Sequence, residues 1–599
     1  MSDHRTFTEL MLDRVERTPE RTALLMLPDS DERGRPASLS YRALDAQARR
    51  LAGRLRADGA TGEPVLLLHE SRSQFAVSFL ACLYAGAVAV PVPPYDGRSH
   101  HEERVAGIVR HTSPRAALTC ASLAPDVSRL LARHGYGSVP CLAADAVGGT
   151  GTGRLPEPDP QTVAYLQFSS GSTGSPNGVV VTHRNLLANQ EALARLLGAG
   201  PDARIGGWLP FHHDMGLVGQ LLHPLWLGGT SVTLSPEAFV KRPARWLEAI
   251  GRYGIEVSGA PDFAYDHCVR RVTDEELAGL DLSGWRIAIS GGEPVRAETR
   301  RAFTERFAAA GLRPDTLHAA YGLAEATLLV SGGPAADGER TVDTEALEQG
   351  QVREALPGRP ARTLVSCGRV DVAAGRVLIV DPESRRVLPN GRIGEIWVSG
   401  PGISAAYWRD RKASAERFGA VTADGTGGLL RTGDLGTVDG GRLYVTGRLK
   451  DVIMVAGRNL YPQDVERTVQ RVSSLFSTGS AFSVPGERER VVVVQELRTH
   501  QRYALDLEEL VADVRRCLSE EFQVTVAGVL LVRPGTVRRT SSGKVERVAM
   551  RRLFLSGGLR PLHQYLADDL VGAVGPPLAA GDLAGGPAGG RGTTDRGKT

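Results

Sequence analysis

A run of small polar residues, SSGSTGSPNG at positions 169–178, separates two segments that have the pattern of buried strands, VAYLQF and VVVTH. The run has too little apolar surface to pack in a core, but its backbone N–H groups and hydroxyls can converge on one anion. It differs from a Walker A loop, which would have Lys where this chain has Val179 and would lead into a helix. The run therefore predicts a phosphate site of another kind, and a plain surface turn is the alternative.

Charged residues elsewhere stand in short glycine-containing motifs. Glu325 ends YGLAE, Asp434 stands in RTGDLG, and Lys544 stands in TSSGKVER. Taken singly, each is typical of a solvated turn or loop. An ionised carboxylate accepts hydrogen bonds from hydroxyl groups, and a lysine stabilises charge that develops in a transition state. Whether Glu325, Asp434 and Lys544 have such functions is indicated only by the motifs in which they stand.

Composition excludes several classes of protein. The chain has 599 residues, of which 42% are hydrophobic and 23% charged, and its formal net charge is +3. These are the proportions of a soluble globular protein, and no one-sign charge block indicates a nucleic-acid partner. The longest apolar-rich run, Phe79–Val92, is shorter than the ~20 residues of a membrane span. The N-terminus lacks the apolar core of a secretory signal, and the scattered cysteines form no CxxC pair. We expect a cytoplasmic protein with no nucleic-acid partner and no membrane span.

Helical and strand patterns alternate through the first part of the chain. Helices are predicted at Tyr41–Arg56, at Ser73–Ala85 and from Asn185, and strands at PVLLLH, AVAVPV, VAYLQF, TSVTL, IEVSGA and RIAISGG. Such alternation favours parallel sheets that are covered by helices. We expect an α/β protein whose large N-terminal domain contains mixed and parallel sheets.

After about residue 390 the pattern changes to short strands broken by glycines, GEIWVSG, LRTGDLG, RLYVTGR and DVIMVAG. A helix at Pro462–Arg471, the strand RVVVVQEL, a helix near Asp506–Glu521 and the strand AGVLLVR follow. This predicts a β-rich subdomain and then a small α+β domain. From Gly572 the chain has almost no large apolar side chains, which favours disorder. The predicted divisions are 1–447, 448–567 and a disordered tail at 568–599.

Several segments, in order, resemble the adenylate-forming superfamily of acyl-activating enzymes: SSGSTGSPNGVVVTH, GWLPFHHDMGLVGQ, ISGGEPV, AAYGLAEATL, LLRTGDLG, GRLKDVIMVAGRNLYPQDVE and RRTSSGKVERVAMR. The resemblance extends from about residue 10 to residue 565. It implies a large AMP-binding domain and a small mobile C-terminal domain that carries a catalytic lysine.

Four details resemble fatty acyl-AMP ligases more than acyl-CoA synthetases. Three are the motifs HDMGL, YGLAEATL and GRNLYPQDVE, and the fourth is an additional stretch that ends in TLVSCG. That stretch, roughly Asp337–Cys367, resembles the insertion held responsible in this family for poor use of free coenzyme A. A tolerated surface insertion is the alternative, since long loops cost little free energy.

The resemblance implies which residues hold ATP. The β- and γ-phosphates would lie in the loop formed by Ser169, Ser170, Gly171, Ser172, Thr173, Gly174 and Gly178. Many superfamily members have Lys where this chain has Asn177, so Mg²⁺ and other basic groups would neutralise pyrophosphate. Asp434 would bind the ribose hydroxyls, and Arg448 would support the ribose or a phosphate. The segment of Gly291, Gly292, Glu293 and Pro294 would flank adenine together with Ala320, Tyr321 and Gly322. Glu325 would contact Mg²⁺, which takes one or two protein carboxylates.

The resemblance also implies the catalytic and substrate groups. His212 would act in catalysis, and the acyl carboxylate and the entrance of its tunnel would involve Phe211, His213, Asp214 and Met215. An unpaired histidine is more often structural, so either role stays open for His212. Lys544 would stabilise the charge that develops during adenylation, and Lys450 would be the hinge about which the small domain rotates.

The implied reaction is ATP-dependent activation of a fatty acid to acyl-AMP, followed by transfer to the phosphopantetheine arm of an acyl carrier protein. No carrier motif follows residue 565, so that carrier would be a separate protein of a polyketide or lipopeptide assembly line. One alternative is a medium- or long-chain fatty acyl-CoA synthetase. Another is an inactive regulatory protein that only binds a nucleotide, although a binding site does not need Glu325, Asp434 and Lys544 together. Chain length and oligomeric state stay open.

Overall fold

The computed structural model describes residues 4–29, 35–95, 99–148, 154–169, 177–370, 375–455, 458–484, 489–498, 506–540 and 543–571. Contacts divide the chain into two compact units. The first comprises Met1–Lys450 and Ser541–Lys544, and the second comprises Asp451–Thr540 and Val545–Thr599.

The first unit alternates helices and strands. Its helices are α1 Phe7–Arg17, α2 Tyr41–Ala57, α3 Arg72–Ala85, α4 Ser99–Thr112, α5 Ala124–Arg133, α6 His183–Leu197, α7 His223–Leu227, α8 Pro236–Lys241, α9 Ala244–Tyr253, α10 Asp262–Arg271, α11 Asp274–Ala278, α12 Ala297–Phe307, α13 Thr344–Glu348 and α14 Arg411–Arg417. Its strands are β1 Thr22–Met26, β2 Ala37–Ser40, β3 Pro64–Leu67, β4 Val88–Pro91, β5 Ala116–Thr119, β6 Cys141–Ala143, β7 Val163–Ser169, β8 Asn177–Thr182, β9 Arg204–Gly207, β10 Thr230–Thr233, β11 Val257–Ala260, β12 Ile287–Gly291, β13 Leu317–Gly322, β14 Leu329–Pro334, β15 Arg340–Asp343, β16 Ala361–Leu364, β17 Arg376–Val380, β18 Gly394–Ser399, β19 Leu430–Asp439 and β20 Arg442–Arg448.

Two large sheets form the core of this unit. One has the strand order β6-β5-β3-β4-β7-β8 and the other β14-β13-β12-β11-β9-β10-β1-β2. Their inner strands are parallel, and antiparallel pairs close three of the edges. Helix α3 is buried from Phe75 to Ala85 because it is apolar on every side. The predicted α/β class with mixed and parallel sheets is confirmed.

A smaller antiparallel sheet, β17-β18-β19-β20, follows in the first unit. The motif LRTGDLG is not a separate short strand but part of the long strand β19, which pairs with both β18 and β20. Its glycines were expected to break the strand. Register shifts in the pairing of β19 with both neighbours, one of them between Leu435 and Gly436, let the strand continue instead.

The second unit contains β21 Ile453–Val455, β22 Arg458–Leu460, β23 Phe476–Val484, β24 Arg490–Leu497, β25 Val526–Val532 and β26 His563–Leu566. Its helices are α15 Pro462–Val472, α16 Leu507–Phe522, α17 Arg547–Leu555 and α18 Asp568–Val571. Helix α18 occupies the first positions of the predicted disordered tail, since Leu570 is buried in the core of this unit. The remainder of that tail, 572–599, lies outside the described residues.

Within the residues that the structure describes, no helix combines the length and the apolar character needed to cross a bilayer.

Candidate functional site

The site lies in the first unit, where the inner strands of the two large sheets end. Parallel strands carry their carboxyl ends to the same edge of a sheet, and ligands of open α/β sheets bind there. Strands β12 and β13 are parallel, with Gly291 paired to Ala320, so the segments that follow them lie side by side. The predicted segments 291–294 and 320–322 are therefore brought together.

Tyr321, Asp434 and Arg448 form one polar cluster. The Tyr321 hydroxyl donates to Asp434 Oδ2 at 2.8 Å, and Arg448 Nε lies 3.2 Å from Asp434 Oδ1. Asp434 and Arg448 are paired in register on β19 and β20. Burial, together with the nearby Asp434 charge, raises the pKa of Tyr321 well above its ordinary value, so the phenol stays a donor. Asp434 is an acceptor-only group held in a fixed orientation.

Gly291 and Gly292 stand where a side chain would not be tolerated. A Cβ on Gly291 would come within 2.8 Å of the Ala320 carbonyl oxygen. Gly292 has φ +79°, which is the left-handed region, and a Cβ there would lie 3.1 Å from Met215 Sδ. The next residue, Glu293, accepts a 2.7 Å hydrogen bond from the Phe263 N–H at the start of α10.

The HHDM segment surrounds a buried carboxylate. Asp214 Oδ1 lies 2.9 Å from His213 Nδ1 and accepts a 2.7 Å hydrogen bond from the Met215 N–H. Burial alone would raise the pKa of Asp214, but the hydrogen bond and charge of His213, with the charge of Lys544, hold it below its usual value. A π-helix, Met215–Leu222, begins directly after Asp214. Such helices are frequent at functional sites.

Phe211 and His212 join this segment to the six-stranded sheet. Gln167 of β7 donates from Nε2 to the His212 carbonyl oxygen at 3.0 Å. The Phe211 ring is buried and packs on Phe75, with ring centres 5.6 Å apart. The carboxyl ends of strands from both sheets therefore meet at these residues.

Glu325 lies after β13 and is held by Tyr407, whose hydroxyl donates to Oε1 at 2.6 Å. Burial and the Glu325 charge raise the pKa of Tyr407, so this donor is retained. Among the described residues, no group of three or more His, Cys, Asp or Glu could hold a metal ion alone. A single carboxylate suits Mg²⁺ that is held mainly by substrate phosphates.

The polar run 169–178 is described only at its two ends. Ser169 ends β7 and is paired with Asn177 of β8, and Gly178 is paired with Phe168. A Cβ on Gly178 would lie 2.8 Å from the Phe168 ring, so this position needs glycine. The predicted phosphate contacts at Ser170, Gly171, Ser172, Thr173 and Gly174 lie outside the described residues.

Lys544 ends a short segment, Ser541–Lys544, that belongs by its contacts to the first unit, although the chain before and after this segment belongs to the second. Its ammonium lies close to Gly292, 3.7 Å from where a Cβ would stand. Burial lowers the pKa of Lys544, and the Arg448 charge acts in the same direction. The carboxylates that oppose this effect are Asp214, Glu293 and Asp434. Lys450, the predicted hinge, is the last residue before the second unit begins at Asp451.

The sequence analysis did not identify three residues that hydrogen-bond to predicted site residues: Gln167, Phe263 and Tyr407. Each acts through one contact with a residue far away along the chain, such as Tyr407 with Glu325 across 82 positions. Nothing in their own local pattern distinguishes them from core residues.

Comparisons with protein families and curated proteins show which family the chain resembles. Residues 12–408 match the AMP-binding enzyme family, and residues 450–564 match the Disco-interacting protein 2-like AMP domain. The chain is 39% identical over 540 residues to the medium-chain-fatty-acid–[acyl-carrier-protein] ligase JamA of Moorena producens, covering 87% of this chain and 90% of that protein. It is 36% identical to the long-chain-fatty-acid–AMP ligase FadD26 of Mycobacterium marinum, covering 93% and 98%.

Solved structures of fatty acyl-adenylate ligases are also similar to this chain. A fatty acyl-adenylate ligase from Legionella pneumophila, in complex with acyl adenylate and pyrophosphate, is 31% identical with a TM-score of 0.73 over 94% of this chain and 98% of that one. A chain from a study of fatty acyl-adenylate ligases from Escherichia coli and L. pneumophila is 32% identical with a TM-score of 0.83, covering 92% and 97%.

Proposed function

The chain belongs to the AMP-binding enzyme family, and within it to the fatty acyl-AMP ligases, and from this premise we propose that it activates a fatty acid with ATP and loads it onto a carrier protein. In the first step a carboxylate oxygen attacks the α-phosphorus of ATP, the bond to the β-phosphate oxygen breaks, and pyrophosphate leaves with that electron pair. In the second, the phosphopantetheine thiolate attacks the acyl carbon and AMP leaves.

The cluster of Tyr321, Asp434 and Arg448 carries this proposal. Asp434 accepts from both ribose hydroxyls, because it is an acceptor-only group fixed by a tyrosine donor at 2.8 Å and an arginine at 3.2 Å. The adenine lies between the 291–294 segment and Tyr321. The glycines at 291 and 292 support this, since a side chain at either position would press on Ala320 or Met215 and displace the segment that faces the adenine.

Positive charge is needed where the acyl carboxylate meets the α-phosphate, because two anions are brought together. Lys544 supplies it and stabilises the charge that develops in the transition state. The carboxylates near Lys544 support this role by favouring its charged form against the effect of burial. The HHDM segment receives the fatty acid, with Asp214 orienting His213 through their 2.9 Å contact and His212 and Phe211 beside the chain.

Mg²⁺ would be held by Glu325 and the phosphates, and when bound it would neutralise the departing pyrophosphate. Tyr407 orients this carboxylate through its hydrogen bond to Oε1. The residues of the 169–178 run hold the β- and γ-phosphates through N–H groups and hydroxyls. This role rests on their composition and on the ligase family, with Asn177 in the place of a more usual lysine.

We also propose that the small domain begins at about residue 448 and rotates at Lys450 between the two steps. The contact-based division after Lys450 supports this. The carrier protein is a separate chain, and the naming of the JamA relative as an acyl-carrier-protein ligase supports that acceptor. A cytoplasmic location stays a prediction.

Pyrophosphate release with a panel of fatty acids tests the first step. We expect release that depends on the fatty acid, and its absence with every acid would instead favour the inactive regulatory protein. Product analysis with a holo-carrier protein or with free coenzyme A tests the second. Efficient acyl-CoA formation by the intact chain would favour the acyl-CoA synthetase.

A further inference from the structure

Arg72 is an arginine that lies at the edge of the site and has not been used so far. It is the first residue of α3 and follows the carboxyl end of β3. Its Nη2 donates to the carbonyl oxygen of Trp208 at 3.1 Å, and its guanidinium carbon lies 5.2 Å from the centre of the Phe211 ring. Arg72 therefore joins the end of β3 to the segment after β9 that leads to Asp214.

The guanidinium of Arg72 is only partly hydrogen-bonded within the described residues. Arg72 Nη1 is buried and has no hydrogen-bond partner among the described residues. Burial lowers the pKa of Arg72 to about 10, although the charges of Asp29 and Glu237 oppose the change. A buried donor that is left unsatisfied costs free energy, and the cost is larger for a charged group. An arginine in such a place is costly unless something else supplies the acceptor.

Trp208 provides a second donor of the same kind. Its indole Nε1 is also buried and without a hydrogen-bond partner in the part of the chain that the structure describes. The indole stacks on Phe239 with ring centres 4.1 Å apart, so its position is fixed by packing. Arg72 Nη1 and Trp208 Nε1 are thus two buried N–H donors without a hydrogen-bond partner among the described residues, and a ligand oxygen is an acceptor that such a donor can use.

We propose that Arg72 is a specificity-determining residue, which donates from Nη1 to an oxygen that the acyl chain carries in addition to its reacting carboxylate. The preferred substrates are then fatty acids with a hydroxyl, keto or second carboxyl group. The inference rests on the proposed function. Phe211, on which the guanidinium packs, stands three positions before Asp214 in the segment that receives the acid, which places Arg72 beside the chain.

The test compares acids that differ only in oxygen. The kcat/KM for pyrophosphate release is measured with decanoic acid, with hydroxydecanoic acids that carry the hydroxyl at each position in turn, and with decanedioic acid. We expect at least one oxygenated acid to exceed decanoic acid by about 10- to 100-fold, which is what a hydrogen bond to a charged group supplies. Arg72→Met should remove this preference and leave decanoic acid near the wild-type value.

Controls separate recognition from folding. Arg49 also packs on an aromatic ring, 5.8 Å from Tyr84, but it has a carboxylate partner, Asp45, at 2.7 Å. Arg49→Met should keep the preference. Arg72→Lys retains the charge and should keep part of it, which provides a second variant if Arg72→Met does not fold. Trp208→Phe, which removes only the N–H donor, should weaken the preference less than Arg72→Met.

Two results would overturn the inference. One is a wild-type kcat/KM for decanoic acid that equals or exceeds the value for every oxygenated acid. The other is an equal loss for all acids in folded Arg72→Met, because Arg72 would then act on the reacting carboxylate. Failure of the proposed function is a different result, in which the wild type releases pyrophosphate with no acid in the panel, and the inference falls with it.

Discussion

The Tyr321 hydroxyl donates a 2.8 Å hydrogen bond to Asp434 across 113 positions of the chain. The donor lies near the end of β13 in the eight-stranded sheet, and the acceptor lies in β19 of the smaller antiparallel sheet. A carboxylate that already accepts one bond from the protein has a fixed direction in which to accept others. The proposed nucleotide site thus lies where two sheets are joined by one hydrogen bond.

Tyr321→Phe should weaken ATP binding. The change removes one hydrogen bond to a charged group, and loss of orientation at Asp434 should raise the Kd for ATP by about tenfold or more. Isothermal titration calorimetry measures this. Tyr41→Phe is the matched control, since the buried Tyr41 hydroxyl donates to the Gly229 carbonyl at 2.8 Å away from the site. A loss of ATP affinity in both variants would contradict a specific role for Tyr321.

Lys544→Ala should reduce fatty-acid-dependent pyrophosphate release by about 10²–10³-fold, because it removes one preorganised charge from the transition state. ATP binding should change much less, since Asp434, Tyr321 and Glu325 remain. Rates and calorimetric affinities of the folded variant provide the comparison. A variant that keeps more than about a tenth of the wild-type rate would be incompatible with this role.

Glu293→Gln should shift the alkaline limb of the pH–rate profile. The active form of Lys544 is the ammonium, so activity is lost as pH rises through its pKa, which burial holds below the ordinary 10.5. The Glu293 charge raises that pKa, and its removal should move the limb to lower pH. Glu256→Gln, at a surface pair with Arg286, is the control that should leave the limb in place. A profile that stays the same in Glu293→Gln would exclude the proposed coupling.

Shortening the additional stretch within Asp337–Cys367 should admit free coenzyme A. Strands β15 and β16 pair antiparallel, with Asp343 opposite Ala361, so residues 344–360 can be replaced by an Asn-Gly turn without changing the register. The stretch is anchored, because Glu339 accepts from Arg300 and Arg301 and Arg340 pairs with Asp439 at 2.8 Å. We expect an anchored element of this kind to restrict the approach of an acceptor or the rotation of the small domain.

The measurement for this variant is acyl-CoA formation by chromatography. Acyl-adenylate formation should be kept, which serves as the internal control for folding. If the shortened enzyme makes acyl-AMP but still no acyl-CoA, the stretch does not govern the choice of acceptor.

His69→Phe should make the protein less sensitive to acid. His69 lies just after β3, and both of its ring nitrogens are buried without a hydrogen-bond partner among the described residues. Burial lowers its pKa to about 4 from 6.5, while the Asp145 charge acts weakly against this. Below pH 6.5 the unfolded chain therefore binds a proton that the folded chain does not, so stability falls as pH drops from 6.5 to 4.

At pH 5 the effect corresponds to about 2 kcal/mol in the free energy of unfolding, and His69→Phe should remove it. Urea midpoints between pH 8 and pH 5 measure the change. His223 is the contrast, because burial lowers its pKa to about 3 but its Nδ1 lies 2.7 Å from Gln190 Oε1. His223→Phe should reduce acid sensitivity and also destabilise the protein at pH 7, since Gln190 Oε1 loses the hydrogen bond to His223.

The sequence alone determined the fold class, and it supplied the polar groups that we propose for the site. Alternation of helical and strand patterns predicted the sheets, because that periodicity reflects local geometry and burial. The motifs YGLAE and RTGDLG predicted Tyr321, Glu325 and Asp434 through their resemblance to the adenylate-forming superfamily. The glycines at 291 and 292 could also be named, since a close approach excludes every side chain there.

Only the tertiary structure decided which distant residues complete the site. Tyr407 on Glu325, Gln167 on His212 and Arg72 on Phe211 are contacts between segments far apart in sequence. The helical and strand periodicity of the sequence does not predict these contacts, because each depends on how distant segments pack together in the folded chain. The pKa values follow the same rule: Lys544 and Asp214 are shifted by burial and by charges that only the folded chain brings near them.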